Sequence, residues 1–345
     1  MMRALVMTGF GDLDRIAVGE VPKPGITRPD DVLVRVRSAG LNRIDLFVLK
    51  GLPKASHSFP HILGSDGAGV VEAVGTAVTR WRPGDRVIIN PGVSCGECAV
   101  CRSGEQPLCR QYRILGEHLE GTIAEFVVVP AANLEAAGDQ FNWAEAAAFP
   151  LATLTAWRML MTRARLRAGE TVLIWGIGGG VALAALQIAK LAGARVVATS
   201  GTAAKLEVAK RLGADVTIDH TTRDVARDVR DLTGTGADVV VDSVGEQTWE
   251  ASLTALRPMG RLVTCGATTG PHVALDVRRL FWFQWNLLGS TMGNHAEFGE
   301  ISQLARRGQL RPVIDSVVPL ENGRHAFSRL QAGSQTGKLV IEVSS

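Results

Sequence analysis

Long apolar runs are missing from this chain. No segment approaches ~18 uninterrupted apolar residues, which excludes a membrane-spanning helix. An excess of one charge is missing too: 37 Lys and Arg stand against 34 Asp and Glu, a formal net charge of +3, and the basic residues are dispersed. Neither nucleic acid nor a membrane surface is therefore an expected partner. Aromatics make up 5% of residues, with Tyr112 the one tyrosine. No internal repeat or low-complexity linker is found. The opening Met-Met-Arg-Ala-Leu-Val-Met has no small-residue cleavage site, so no signal peptide is expected. Cysteine is sparse except in one place: four of the five lie within fifteen residues, and Cys265 stands apart. That distribution favours an intracellular, metal-binding use over a disulfide framework, and a cytoplasmic location is expected.

What is present is organised around Glu170–Ser200. Thr171–Trp175 is a short apolar run suited to a buried parallel strand. Gly176-Ile-Gly-Gly-Gly180 follows at once, then Val181–Leu191, rich in good helix formers; Gly193 closes that helix and Arg195–Thr199 begins a second strand. This is a βαβ unit in which N–H groups at a helix N-terminus receive a dinucleotide pyrophosphate. The fingerprint is incomplete. Gly176-x-Gly178-x-x ends on Val181, and the frame shifted by one, Ile177-x-Gly179-x-x-Ala182, lacks its first glycine. The strand–turn–helix context carries the assignment to Gly176, Gly178, Gly179, Gly180 and Val181.

The chain's 345 residues exceed what one core usually accommodates, so two domains are expected. Residues 3–129 read as mostly β, with strands at 3–7, 15–21, 32–39, 69–74, 86–90 and 123–129 and one helix at 43–50; prolines and glycines, Gly64 and Gly67 among them, punctuate them. From Trp143 helices and strands alternate, which is the signature of a parallel sheet. A long helix is expected over 145–163. Helices at 203–212, 222–232 and 247–256 separate strands at 216–219, 238–241, 261–264 and 286–291, giving about six strands. A tail from Glu297 holds two helices and a last strand, 338–343.

Cys95-x2-Cys98-x2-Cys101-x7-Cys109 supplies four thiolates within one loop. Tetrahedral zinc is the natural occupant, and four sulfurs leave no position open for substrate, so the expected role is structural. A ferredoxin-type cluster would end on a three-residue gap and a proline, which this run lacks. Without a basic stripe or aromatic platform, a nucleic-acid zinc ribbon is disfavoured. Cys265 is read as packing.

Together these features resemble the medium-chain dehydrogenase/reductase superfamily, the zinc alcohol dehydrogenases and quinone oxidoreductases. Besides the glycine turn and the cysteine lobe, Pro83-Gly-Asp-Arg-Val87, Leu154-Thr-Ala-Trp157 and Gly337-Lys338 carry the resemblance, which spans essentially the whole chain. It implies an α/β chain: a GroES-like β catalytic domain with a structural zinc lobe at 1–152, a Rossmann domain with a doubly wound six-stranded parallel sheet at 153–294, and a return at 295–345 that completes the first domain. It also implies a cofactor cleft between the two domains, a small-molecule substrate and a homodimer or homotetramer.

The alcohol dehydrogenases of that superfamily hold a second, catalytic zinc. The positions matching its ligands are Asn42, Ser65 and Leu151. Leucine has no lone pair to offer and neutral serine is a poor zinc ligand, so a catalytic zinc is not expected. The pattern resembles the quinone oxidoreductase branch, whose Asn-x-x-Asp matches Asn42 and Asp45. Without a Lewis acid, developing charge must be met by hydrogen-bond donors. Conjugate reduction of an enone or quinone, which spreads that charge, is therefore the expected chemistry. Asn42 and Ser65 are the candidates for polarising substrate oxygen, and the resemblance sets Thr155 against the nicotinamide. Asn42 could equally cap the following helix. Tyr112 and His118 are further candidate proton donors.

An NAD-type site would place an acid about 20 residues past the glycines. Here Thr199-Ser200-Gly201-Thr202 ends the second strand, with Lys205 and His220 beyond it. No acid there repels a phosphate, and the resemblance to quinone oxidoreductases implies that Ser200, Lys205 and His220 meet the 2′-phosphate of NADPH. Strand ends add Gly245, Gly266, Ala267 and Ser290, and the resemblance adds Lys338 from the C-terminal segment. Three alternatives stand beside this reading: an alcohol dehydrogenase with zinc held by Asp66 and His61, a non-enzymatic NADPH-binding protein, and a reductase whose hydride addition triggers cyclisation of a polyunsaturated substrate. For the last, Phe281, Trp282, Phe283 and Trp285 would line a large apolar pocket, although helix core or a subunit interface accounts for them as well.

Overall fold

The computed structural model describes residues 1–52 and 57–344. The chain divides into two compact units, one formed by residues 1–152 and 293–345, the other by 153–292. Among the described residues no helix is long and apolar enough to cross a membrane.

The first unit is GroES-like and mostly β. Met2–Met7 pairs antiparallel with both Ile16–Val21 and His61–Ile62. A larger sheet runs in the order Leu134–Ala136, Arg86–Ile89, Asp66–Val74, Asp31–Gly40, Lys338–Glu342, Ile314–Pro319, with Phe126–Pro130 also on Asp31–Gly40. Its apolar faces enclose a core that includes Val34, Leu63, Ile89, Ile123 and Phe327. One register matters for the site. Gly40 lies opposite Asp66 on one side and Val340 on the other, so the end of one strand brings residues 42, 66 and 338 together.

Gly67, which reads as punctuation, is a strand residue. The Asp66–Val74 strand begins three residues before the expected Gly69. A Cβ on Gly69 would lie 2.0 Å from the Arg35 carbonyl oxygen, and one on Gly67 would lie 2.9 Å from Thr122. They are there because neighbouring backbone and side chain come too close for anything larger. The strand expected from Ile123 starts at Phe126. Ile123 instead donates to the Leu63 carbonyl and accepts from Leu5 N–H, bridging two other segments.

The long helix expected at 145–163 is three pieces: Trp143–Ala148, Pro150–Trp157 and a π-helical turn over Arg158–Arg163. Pro150 has no N–H to continue the first helix and suits the start of the second.

The second unit is a parallel six-stranded sheet of Rossmann type. Its order is Val216–Asp219, Arg195–Ser200, Thr171–Ile174, Ala237–Asp242, Leu256–Thr264, Asn286–Gly289. Successive strands run outward from Thr171–Ile174 in both directions, and such a switch point is where open sheets bind ligands. The aromatic quartet does not act as one lining. Phe283 and Trp285 stack at 5.1 Å, with Trp285 buried, while Phe281 and Trp282 are 64% and 76% exposed.

Candidate functional site

The cysteine loop is arranged for a metal. The sulfurs of Cys95, Cys98, Cys101 and Cys109 all lie within 4.8 Å of one another, the one such set of His, Cys and acidic groups among the described residues. Neighbouring Sγ atoms stand 3.5 Å (Cys98–Cys101, Cys95–Cys109), 3.7 Å (Cys95–Cys101) and 3.9 Å (Cys98–Cys109) apart. Four sulfurs ~2.3 Å from a common centre would stand about 3.8 Å apart, so the cage fits tetrahedral zinc. Backbone N–H groups already face the sulfurs, Cys101 to Cys98 at 3.4 Å and Gln111 to Cys109 at 3.3 Å. Those of Cys98 and Glu97 lower the Cys95 thiol to about 6, which favours the ligating thiolate.

At the end of the Gly40 strand a buried polar network forms. Asn42 precedes the helix Arg43–Lys50, whose third residue, Asp45, reaches back to accept the Asn42 backbone N–H at 2.7 Å. The Asn42 side chain, the other arm of that capping box, also bonds elsewhere. Its Nδ2 donates to Asp66 Oδ2 at 2.9 Å and to the Gly40 carbonyl at 3.3 Å, and its Oδ1 accepts from Lys338 Nζ at 2.6 Å. Lys338 also donates to Asp66 Oδ2 at 2.9 Å, and Leu151 N–H donates to Asp66 Oδ1 at 2.7 Å. Asp66 is thus the hub, fully enclosed, with a donor on each oxygen.

This arrangement changes the roles read from the sequence. Both amide hydrogens of Asn42 are committed, so Asn42 in this conformation offers no donor to a substrate oxygen. Lys338, expected at the nucleotide, buries its ammonium against Asp66 and Asn42. Ser65 keeps an uncommitted hydroxyl: its Oγ is buried without a hydrogen-bond partner, as is Asp45 Oδ1. Burial drives the Asp45 carboxyl up to about 7, against the Asn42 N–H and the Lys338 charge. The alternative zinc pair is not assembled. Asp66 is taken up as described, and His61 donates from Nε2 to the Gly116 carbonyl at 3.0 Å with Nδ1 3.6 Å from Glu120.

The other candidate donors are loop residues. Tyr112 packs against Gly92, where a Cβ would collide with its hydroxyl. His118 accepts Ile114 N–H through Nδ1 at 3.2 Å, with about half of its side chain exposed. Thr155 is buried in the helix Pro150–Trp157.

In the second unit the glycine turn joins Thr171–Ile174 to the helix Gly180–Leu191. Gly178 has φ +135°, a conformation that favours glycine, and Gly179 has open space where a Cβ would be, so the Gly179 backbone is presented bare to a ligand. The first N–H groups of that helix have no intrahelical acceptor and suit a pyrophosphate. Thr199 organises the turn, its carbonyl accepting Ile177 N–H at 2.7 Å and its Oγ1 accepting Gly176 N–H at 3.3 Å. His220 Nδ1 lies 3.3 Å from the same Thr199 hydroxyl, and the stem of Lys205 crosses Gly178. Ser200 Oγ accepts Thr202 N–H at 3.3 Å. The sequence-named Ser200, Lys205 and His220 are therefore gathered around the end of the second strand.

Farther along the sheet, Gly245 has φ +92°, and a Cβ there would lie 2.7 Å from the Gly270 carbonyl oxygen. Gly266 and Ala267 are exposed in the next loop, and Ser290 N–H donates to the Thr264 carbonyl. Cys265 has its thiol pushed up to about 12 by burial, which fits packing rather than reactivity. Sequence reasoning missed Asp242. Its Oδ1 accepts Val244 and Gly245 N–H at 2.8 and 3.1 Å, and its Oδ2 accepts the hydroxyls of Thr248 and Ser252 at 2.7 and 2.6 Å. An acid ending a parallel strand just before Ser-Val-Gly was the available signal.

Comparison with known proteins agrees with both halves. A family described as alcohol dehydrogenase GroES-like domain matches residues 28–139, and one described as zinc-binding dehydrogenase matches 180–307. An NAD-dependent alcohol dehydrogenase of Sulfolobus acidocaldarius is 32% identical over 99% of this chain and 100% of that protein. A quinone oxidoreductase of Pseudomonas aeruginosa is 35% identical over 92% of this chain and 93% of that one. A crystal structure of an NAD-dependent alcohol dehydrogenase superposes with a TM-score of 0.96 at 44% identity, covering 99% and 100% of the two chains. Cysteine lobe, glycine turn, two-unit architecture and these likenesses lead to one conclusion: the chain belongs to the medium-chain dehydrogenase/reductase superfamily, whose members are nicotinamide-dependent oxidoreductases.

Proposed function

We propose that the chain is an NADPH-dependent reductase of activated C=C bonds or quinones that works without a catalytic zinc. One observation carries the reading: the Lys338 ammonium lies 2.6 Å from Asn42 Oδ1 and 2.9 Å from Asp66. A divalent ion beside Asn42 would face a buried like charge, and the neighbouring candidate ligands are a hydroxyl and a leucine. Hydrogen-bond donors remain as the means of steadying charge on substrate oxygen, which suits enolates and phenolates better than localised alkoxides. The bound reduced nicotinamide supplies the hydride. Gly176, Gly178 and Gly179 present backbone to its pyrophosphate, Ser200, Lys205 and His220 meet the 2′-phosphate, and Thr155 packs against the ring. The reading as a reductase is further supported by the likeness to a quinone oxidoreductase.

Steady-state assays test it. NADPH should drive reduction of 1,4-naphthoquinone or cyclohex-2-enone with kcat/KM well above that of NADH, and chelators should leave the rate unchanged. Ethanol or aldehyde turnover that a chelator abolishes would instead support a zinc alcohol dehydrogenase, the reading favoured by the names of several relatives.

A further inference from the structure

A cavity of about 410 Å³ lies wholly within the first unit. Its origin can be followed along the backbone. Leu5 N–H donates to the Ile123 carbonyl and Glu125 N–H donates to the Arg3 carbonyl, so residues 123–125 run beside the first strand. There the two paths part. Arg3 N–H takes the Glu125 carboxylate at 2.9 Å, Met2 stays opposite Val21, and Phe126–Pro130 leaves to pair with Asp31–Gly40. Met2 and Val127 line the gap that this divergence opens, and Ile62, Leu115 and Leu119 supply more of its wall. A cavity of this volume with a mainly apolar lining is of the kind that holds a small organic molecule, oriented by a few polar groups.

One charged side chain lines the cavity, Glu120. Its Oε2 accepts Ile62 N–H at 2.7 Å, which fixes the carboxylate in place, and its side chain is 56% exposed. Among the described residues no lysine or arginine pairs with it. Lys23, which stands between the lining prolines Pro22 and Pro24, is engaged elsewhere: its ammonium lies 3.6 Å from the centre of the Phe126 ring and 3.5 Å from Glu72. His61 Nδ1 comes within 3.6 Å of Glu120 Oε1. Because Nε2 donates to the Gly116 carbonyl, the neutral imidazole has no proton on Nδ1 to give. An apolar cavity thus carries one anchored negative charge that the chain itself does not neutralise.

We propose that this cavity is a binding site for an apolar organic cation, its hydrocarbon body against Met2, Ile62 and Val127 and its ammonium on Glu120. Charge complementarity selects the class. An organic anion would be repelled by the carboxylate, and a neutral molecule would gain the apolar contacts alone. The proposal is independent of the reductase reading above.

The test is isothermal titration calorimetry of the full chain with phenethylammonium, phenethyl alcohol and phenylacetate, with NADPH present to fill the nucleotide site. The ammonium should bind about 10-fold more tightly than the alcohol, and phenylacetate more weakly than either. Glu120→Gln keeps an acceptor for Ile62 N–H and removes the charge, so it should erase that margin and leave the alcohol's affinity as it was. Leu119→Trp, which fills the cavity, should abolish binding of both. Equal affinity for the three probes, no measurable binding of the ammonium, or an ammonium preference that survives either variant overturns the proposal. Should a variant fail to fold, wild-type protein with isotope-labelled isoleucine reads the same contact by NMR. The Ile62 amide, which donates to Glu120, should shift on adding phenethylammonium and stay put with phenylacetate; an Ile62 signal that the ammonium leaves unmoved overturns the proposal as well.

Discussion

Lys338 Nζ stands 2.9 Å from Asp66 Oδ2 with the two side chains 5% and 0% exposed, so strand Lys338–Glu342 and strand Asp66–Val74 are pinned by an enclosed ion pair. Such pairs contribute little beyond apolar side chains of similar size, but breaking one strands a charge without water. Asp66→Asn alone, or Lys338→Met alone, should therefore cost about 3–5 kcal/mol. Replacing both residues, Asp66→Asn with Lys338→Met, should cost much less than the sum of the two single losses. Urea unfolding of the four proteins checks this, and additive single effects would disprove the coupling.

Asp45 predicts a pH dependence of stability. Its folded-state carboxyl titrates at about 7 because burial disfavours the anion, whereas in an unfolded chain it titrates near ~3.9. Between about pH 4 and pH 7 the unfolded state thus releases a proton that the folded state retains. Stability from this group is complete below pH ~4 and is lost as pH rises through about 7, with a slope of at most ~1.4 kcal/mol per pH unit. Asp45→Asn keeps an acceptor for Asn42 N–H and cannot ionise. Its Tm should rise relative to wild type across that window and then level off. A difference that moves the other way would show that Asp45 is ionised throughout.

The strand–glycine–helix unit at 171–191 was legible because three local signals coincide: an apolar run, glycines at the turn and strong helix formers after it. The cysteine cage was legible for a similar reason, since its ligands share one loop. The network at Asp66 was not. Lys338 and Asp66 are 272 positions apart, and no local pattern ties a lysine in a C-terminal strand to an aspartate in a Gly-Ser-Asp-Gly stretch. Resemblance suggested a nucleotide partner for Lys338, and the antiparallel pairing of Lys338–Glu342 with Asp31–Gly40 supplied a different one. Gly67 misled because a glycine demanded by close packing looks, in sequence, like a glycine demanded by a turn. The break at Pro150 could have been seen from the proline alone.

Metal content follows from the donor sets. The four cysteines form a closed cage, and no other group of three His, Cys or acidic ligands exists among the described residues. Purified protein should carry close to one zinc per chain by elemental analysis. Cys98→Ser, which removes one corner of the cage, should lose that zinc and lower Tm by several degrees. Strong chelation of wild type should reproduce the loss of stability while leaving initial quinone reduction rates intact. A second, chelator-sensitive equivalent needed for turnover would contradict the donor chemistry at Asn42 and Ser65.

The proposed preference for NADPH makes Lys205 a reader of the 2′-phosphate. Its stem crosses Gly178, where a Cβ would fall 2.6 Å from Lys205 Cδ, so the side chain lies over the glycine turn. Lys205→Met preserves the apolar stem and removes the charge alone. Losing a charge-assisted hydrogen bond worth about 1.5–3 kcal/mol should weaken NADPH binding roughly 10–100-fold. NADH has no 2′-phosphate to lose contact with, so its Kd should change by less than ~2-fold. Fluorescence titration of both cofactors separates the outcomes. Equal weakening of NADH and NADPH would mean that Lys205 shapes the turn rather than reads the phosphate, and preference would then have to come from Ser200 and His220.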